Sequence, residues 1–169
     1  MNTKLKKISY SAVFAALVFV ATSVIRIPTP GTGGYVHPGD AIVILCGIFL
    51  GPIYGGLAAG IGSMLSDLLG GYFVFVPATF LIKGLSAYFI GLICSKYQTH
   101  LKTIPSLLIA GLINTFLVVF GYFLFEIFLF GTGAALSSII PNIMQGAMGL
   151  FLASVLAPVL KKVPFLRKI

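Results

Sequence analysis

Long apolar runs alternate with short polar stretches along the chain. The first run, Ile8 to Ile25, holds 18 residues without a charge. A lysine-rich start precedes it, as in a signal peptide, but the run is longer than a typical signal core and no clear small-x-small cleavage site follows. A retained first span over 8–27 is therefore expected. Pro28-Thr29-Pro30-Gly31-Thr32-Gly33-Gly34 breaks it into a loop. Asp40 opens an apolar stretch that reaches Ser66 and is interrupted by Gly51-Pro52. This predicts a short helix at 39–50, a tight turn and a helix at 53–69. The short helix covers only about 15–18 Å of a hydrocarbon core about 30 Å thick. Gly70-Gly71 makes the next turn. A helix is predicted at 74–95, with Pro77 tolerated in its first turn. Lys96 to Lys102 is a polar link, and a further helix is predicted at 104–130. Gly131-Thr132-Gly133 opens the last loop, and Ser137 or Ser138 is placed to cap a helix at 138–160. No fixed-period repeat is present, which gives no support to an inverted-repeat transporter. The expectation is a single membrane domain over 1–169: an all-α integral membrane protein with six transmembrane helices in a compact bundle.

Composition agrees. Of 169 residues, 59% are hydrophobic and 8% charged, against about 25% charged in an ordinary soluble domain. Mean hydropathy is +1.11. These values exclude a disordered chain, a secreted disulfide scaffold and a water-soluble globule. The net charge of +8 is not a nucleic-acid signal, because nine of the eleven basic residues fall in three clusters between apolar runs. Lys4, Lys6 and Lys7 form the first, Lys96 and Lys102 the second, and Lys161, Lys162, Arg167 and Lys168 the third. With six spans these clusters share one side of the membrane, which the positive-inside rule assigns to the cytoplasm. Both termini are then cytoplasmic, and the loops at 28–38, 70–73 and 131–137 face outward. Cys46 and Cys94 lie in apolar runs without nearby histidines, so neither a disulfide nor a zinc site is expected.

Polar groups inside a membrane are costly and usually functional, and here they gather in the outer half. Arg26 ends the first predicted helix, and Tyr35, His37 and Asp40 lie in the first outer loop or at the entry to the next helix. Asp67, Tyr72, Lys83, Tyr122 and Glu126 follow. Asn142 and Gln145 stand three apart on one helix face. The inner half is nearly bare apart from Asn114 near mid-depth and Ser11. A pocket that opens outward without a polar path through the membrane fits a binding protein better than a channel. Structural readings stand beside the functional ones. Arg26 and Glu126 suit snorkelling interface anchors, and Asp40 suits an N-cap. Asp67 and Lys83 suit an ion pair, His37 a loop residue without a role, Tyr72 and Tyr122 an aromatic belt, and Asn142 and Gln145 interhelical bonding.

Small residues recur at helical spacing: Ala12 and Ala16, then Gly47, Gly51 and Gly55, Gly56 and Gly60, and Ala153 and Ala157. Such spacing allows close helix approach, either within the chain or, for Ala12 and Ala16, against a partner protein. There is no G-x-x-x-x-G-K-[ST], H-E-x-x-H or G-x-S-x-G motif. No catalytic or metal-ligating set is found and no cofactor is expected.

Several of these segments resemble one family. Gly33-Gly34-Tyr35-Val36-His37-Pro38-Gly39-Asp40, Leu50-Gly51-Pro52 with Gly55, Gly62-Ser63, Asp67-Leu68-Leu69, Gly71-Tyr72, Pro77-Ala78-Thr79 and Ile82-Lys83-Gly84 are similar to the substrate-binding (S) components of energy-coupling factor (ECF) transporters. The branch resembled takes up riboflavin-type compounds, hydroxymethylpyrimidine and pyridoxine. The resemblance covers most of the chain, with the C-terminal third similar mainly in hydropathy. It implies a non-enzymatic subunit that binds one vitamin or precursor tightly. It also implies partners, a membrane coupling protein and two cytosolic ATPases, with Ala12 and Ala16 docking onto the coupling protein. Outer loops and the last three predicted helices would build the pocket, where Lys83, Tyr122, Asn142 and Gln145 fall; Tyr35, His37, Asp40, Asp67, Tyr72 and Glu126 of the outer polar group complete the candidate substrate-binding set. The aspartate-x-serine-aspartate arrangement associated with dedicated riboflavin binders is missing, and His37-Pro38-Gly39-Asp40 stands there instead. That favours a smaller heteroaromatic such as pyridoxine or hydroxymethylpyrimidine. The alternative is an autonomous small transporter or channel working as an oligomer, with its Gly and Ala faces as subunit contacts.

Overall fold

A computed structural model describes residues 3–29, 31–97, 103–163 and 166 of the chain. Pro30, the 98–102 part of the polar link with Lys102, and Arg167 and Lys168 of the last basic cluster lie outside the described residues. The described chain is α-helical apart from one small hairpin. Its order is α1 (Thr3–Val24), β1 (Ile27–Pro28), β2 (Tyr35–Val36), α2 (Asp40–Gly70), α3 (Val76–Tyr97) and α4 (Thr103–Leu160). All four helices are long and apolar enough to cross a membrane. The sequence predicted more and shorter helices, and the difference lies in how the chain turns.

Within α2, only Gly51 leaves helical geometry, with φ 75° and ψ −175°. Within α4, only Gly131 does, with φ 82° and ψ 170°. Both occupy a backbone region that is nearly exclusive to glycine. One such residue suffices to fold each helix back on itself. A straight 58-residue helix would be about 87 Å long, yet the Ser138 hydroxyl donates to Glu126, twelve residues earlier. Gly146 likewise packs on the Thr115 side chain, and Gly55 packs on the Cys46 carbonyl. Each long helix is therefore two antiparallel arms. Pro52 opens the second arm of α2, where its missing N–H belongs to an unpaired first turn.

Several boundaries shift from the expectation. The helix expected at 8–27 starts at Thr3, so that the first lysines are helical, and stops at Val24 before β1. The helix expected at 74–95 runs from Val76 to Tyr97. The loop expected over 131–137 is helical beyond Gly131. Ser137 and Ser138 therefore cap nothing. The Ser137 hydroxyl donates to the Ala134 carbonyl inside the returning arm, and the Ser138 hydroxyl turns to Glu126 with its Oγ 2.9 Å from the Ala135 carbonyl. Asp40 is not an N-cap either. Gly39 takes that position without a side-chain bond, and the Asp40 carboxylate turns inward.

The hairpin has no counterpart among the elements predicted from the sequence. Ile27 pairs with Val36 and Pro28 with Tyr35 in an antiparallel ladder. The Thr29 N–H donates to the Gly34 carbonyl at 2.8 Å, closing the turn. Two-residue strands carry too little period to be read from a sequence.

The bundle is apolar outside and partly polar within. Phe128, Leu112 and Phe151 are exposed, whereas Lys83, Asp40 and Asn114 are wholly buried. Lipid is the solvent for such a surface, and the chain is a multi-pass protein of the cell membrane. Small residues let the helices meet closely. A side chain at Gly47 would put Cβ 2.6 Å from the Ala87 carbonyl oxygen and 2.7 Å from Ile90 Cγ2 on α3. At Gly60 it would lie 2.9 Å from the Phe80 carbonyl oxygen. Ala12 and Ala16, by contrast, face outward on α1.

Gly47→Val should force α2 from α3 and destabilise the protein by about 1–3 kcal/mol. A lowered melting temperature in detergent, with a neutral result for Gly133→Val in open space, checks this seam.

Candidate ligand-binding site

Near the reversal end of α4 and beneath the hairpin, polar side chains from four elements meet. The most deeply buried are Asp40 and Lys83. Lys83 Nζ donates to Asp40 Oδ1 at 2.5 Å, and both side chains are fully buried. Asn114 Nδ2 donates to Asp40 Oδ2 at 2.9 Å. Lys83 also lies under the Tyr122 ring, 5.5 Å from its centroid. Lys83 thus pairs with Asp40 rather than with Asp67. Both carboxylates lie at the same end of the folded-back α2, and the Asp67 carboxylate is turned to Tyr35 instead. This network joins α2, α3 and α4 at one point and leaves both Asp40 oxygens satisfied, as a buried carboxylate requires.

Asp67 serves the loop instead. Tyr35 donates its hydroxyl to Asp67 Oδ1 at 2.7 Å and lies 3.2 Å from Ser66 Oγ. Burial and then the neighbouring Asp67 charge raise the Tyr35 pKa, so the phenol keeps its proton. Arg26 does not snorkel outward. Its Nη2 donates to the Ser66 carbonyl and hydroxyl, each at 3.0 Å. The guanidinium stacks over Tyr35 at 5.0 Å and over Tyr72 at 5.6 Å, and the two tyrosine rings are 4.4 Å apart. Arg26 and Tyr72 therefore clamp the loop tyrosine.

His37 has a role in holding the loop. Its backbone N–H donates to Gln145 Oε1 at 3.0 Å, and its Nδ1 accepts from the Gly39 N–H at 3.1 Å. Burial, and then the Lys83 charge, lower its pKa to about 3, so the imidazole is neutral with its proton on Nε2. Gln145 is thereby bonded to the loop. Glu126 is buried too and does not snorkel, because Ser138 from the returning arm donates to its Oε2. Tyr122 shares a 2.8 Å hydrogen bond with Thr79.

A cavity of about 20 Å³ lies among these groups. Tyr35, His37, Asp67, Tyr122, Glu126 and Asn142 line it, all of them candidates from the sequence. Asp40, Lys83, Tyr72 and Gln145 stand behind its wall. Thr29, Phe75 and Thr79 also line it and were not among those candidates. Thr79 belongs to the Pro77-Ala78-Thr79 segment that carries part of the resemblance, whereas a phenylalanine among apolar neighbours carries no signal. Asp67 Oδ2 has no hydrogen-bond partner among the described residues.

Solved structures share this helical bundle. The S component for biotin from an ECF-type ABC transporter superposes with a TM-score of 0.73 over 95% of each chain, at 19% identity. The S component of a bacterial ECF transporter gives 0.68 over 95% of this chain and 98% of that one, at 21% identity. The family model for the ECF-type riboflavin transporter, S component, matches residues 2–162. The chain belongs to that family. It is 33% identical over 145 residues to a Pyrococcus woesei protein described as an "uncharacterized protein in gap 3'region", covering 86% of this chain and 95% of that one. It is 29% identical over 162 residues to the thiamine precursor transporter HmpT of Lactococcus lactis subsp. cremoris (strain MG1363), covering 95% and 91%.

Lys83→Met should cost about 3–5 kcal/mol, because it strands Asp40 in the interior. Asp40→Asn combined with Lys83→Met should recover most of that loss. Equal destabilisation of the single and double variants in detergent melts would show that the charges do not couple.

Proposed function

We propose that the chain is the high-affinity binding subunit for a small heteroaromatic vitamin or vitamin precursor, with hydroxymethylpyrimidine or pyridoxine ahead of riboflavin. The observation that carries this reading is the cavity itself. Flat rings (Tyr35, His37, Phe75, Tyr122) and hydrogen-bonding groups (Asp67, Thr79, Glu126, Asn142) line one cavity, the composition expected of a small-molecule site. The likeness to the thiamine precursor transporter HmpT supports a vitamin precursor as ligand. Asp67, Glu126, Asn142, Tyr35, Tyr122 and His37 contact the ligand. Tyr72 and Gln145 hold the loop, and Asp40 and Lys83 brace the floor. A volume of about 20 Å³ admits about one water. Entry of a ring therefore displaces the 25–39 loop, which is tied down by Tyr35 to Asp67 and by His37 to Gln145.

In this reading the reversals at Gly51 and Gly131 give six membrane passes with both termini cytoplasmic, and the cavity faces outward. Delivery inward then needs an energised partner, a coupling protein with two cytosolic ATPases. The exposed Ala12 and Ala16 on α1 offer the flat stripe on which a partner helix can approach closely.

Purification from cells grown in rich medium, followed by mass spectrometry of the extract, should release one such vitamin in stoichiometric amount. Repeatedly empty protein that no vitamin stabilises against heat would refute the assignment. Ala12→Leu should abolish uptake by cells while ligand affinity stays unchanged; normal uptake in that variant removes the docking role.

A further inference from the structure

The sequence contains three acidic residues, Asp40, Asp67 and Glu126, and the fold buries all of them. Lys83 neutralises Asp40. The other two are held by hydroxyl groups in matching fashion. Asp67 receives the Tyr35 hydroxyl from the loop at 2.7 Å and the Thr79 hydroxyl from α3. Glu126 receives the Thr32 hydroxyl from the loop and the Ser138 hydroxyl from the returning arm of α4. Thr32 has its proton to spare, because its oxygen accepts from the Gly34 N–H at 3.3 Å. Each carboxylate thus joins one loop hydroxyl to one helix hydroxyl.

Thr79 carries the contact further. It is buried in the first turn of α3 and lies 2.8 Å from the Tyr122 hydroxyl. A carboxylate only accepts, so Asp67 takes the single Thr79 proton. Tyr122 must then donate to Thr79 Oγ1. Lys83 stands four residues further along α3, on the same helix face, and its Nζ is 5.5 Å from the centroid of the Tyr122 ring. α3 therefore grips Tyr122 at two points, the ring face through Lys83 and the hydroxyl through Thr79. One hydrogen-bonded line runs from Tyr122 through Thr79 and Asp67 to Tyr35. It joins α4, α3 and α2 to the loop.

We infer that Thr79 is a positioning residue: it fixes the Tyr122 ring at the cavity and holds the Asp67 carboxylate in the orientation that latches Tyr35. Loss of its hydroxyl frees Asp67 to turn and slackens the loop. Contact of a ligand with the Tyr122 ring is by the same line passed to the loop that covers it. That last step rests on the vitamin-binding reading, whereas the coupling of Thr79 to the loop does not.

Hydrogen exchange read by mass spectrometry on the full-length, ligand-free protein in nanodiscs tests the coupling. The reporters are the loop amides of Thr29 and His37, which donate to the Gly34 carbonyl and to Gln145 Oε1. Thr79→Val keeps the shape and removes the hydroxyl. It should speed exchange at both amides by about fivefold or more, the worth of one hydrogen bond. Thr79→Ser should restore the slow rate. In a Tyr35→Phe background the line is already cut, so Thr79→Val should add less than about twofold there. A residue that only fills space would add its full effect. If the melting curve shows that Thr79→Val does not fold, Thr79→Ala is read in the same way. Exchange unchanged by loss of the hydroxyl, equally fast exchange in Thr79→Ser, or full additivity with Tyr35→Phe overturns the inference and leaves the vitamin-binding assignment standing. Faster loop exchange in a protein that binds no vitamin upholds the coupling and overturns that assignment alone.

Discussion

The organisation of this protein depends on the buried ion pair between Asp40 and Lys83. Away from water neither charge is tolerable alone, and the two meet at 2.5 Å with Asn114 on the second carboxylate oxygen. One contact thereby fixes the start of α2, the middle of α3 and the first arm of α4 relative to one another. Asp40 follows the loop directly, so pinning it pins the loop's exit. His37, three residues earlier, then falls within reach of Gln145. The other end of the loop is set by Arg26 and Tyr35 on Ser66 and Asp67. The roof of the cavity is thus held at both ends by polar contacts buried beneath it.

Around that point the bundle is assembled by shape rather than by the hydrophobic effect, since lipid is as apolar as leucine. Glycines at 47 and 60 bring α2 against α3 with carbonyls facing where side chains would otherwise be. The reversals at Gly51 and Gly131 do more than join arms. Gly131 returns α4 so that Ser138 meets Glu126 and Asn142 meets the cavity. A single backbone conformation thereby brings Asn142 to the lining and fixes Glu126 beside it.

The polar groups form two layers with different duties. The inner layer, Asp40, Lys83 and Asn114, is bonded to itself and holds geometry. The outer layer retains unspent capacity, most clearly at Asp67 Oδ2.

Much of this was legible from the residues. Eighteen uncharged residues from Ile8 to Ile25, the glycines at 51 and 131, and the confinement of acidic residues to predicted outer ends are local or one-dimensional signals. They sufficed for an all-helical membrane protein with a polar cluster at one end, and the 33-to-84 segments sufficed for its family. The tertiary structure alone decided the partners. Lys83 chose Asp40 over Asp67, Arg26 turned inward to Ser66, Gln145 bonded a loop backbone, and a two-residue hairpin carried Tyr35 over the cavity. Hydropathy and spacing record whether a residue prefers lipid or polar company. Which polar group it meets depends on the rotation and crossing of helices that are distant in sequence, and that is set by packing between them.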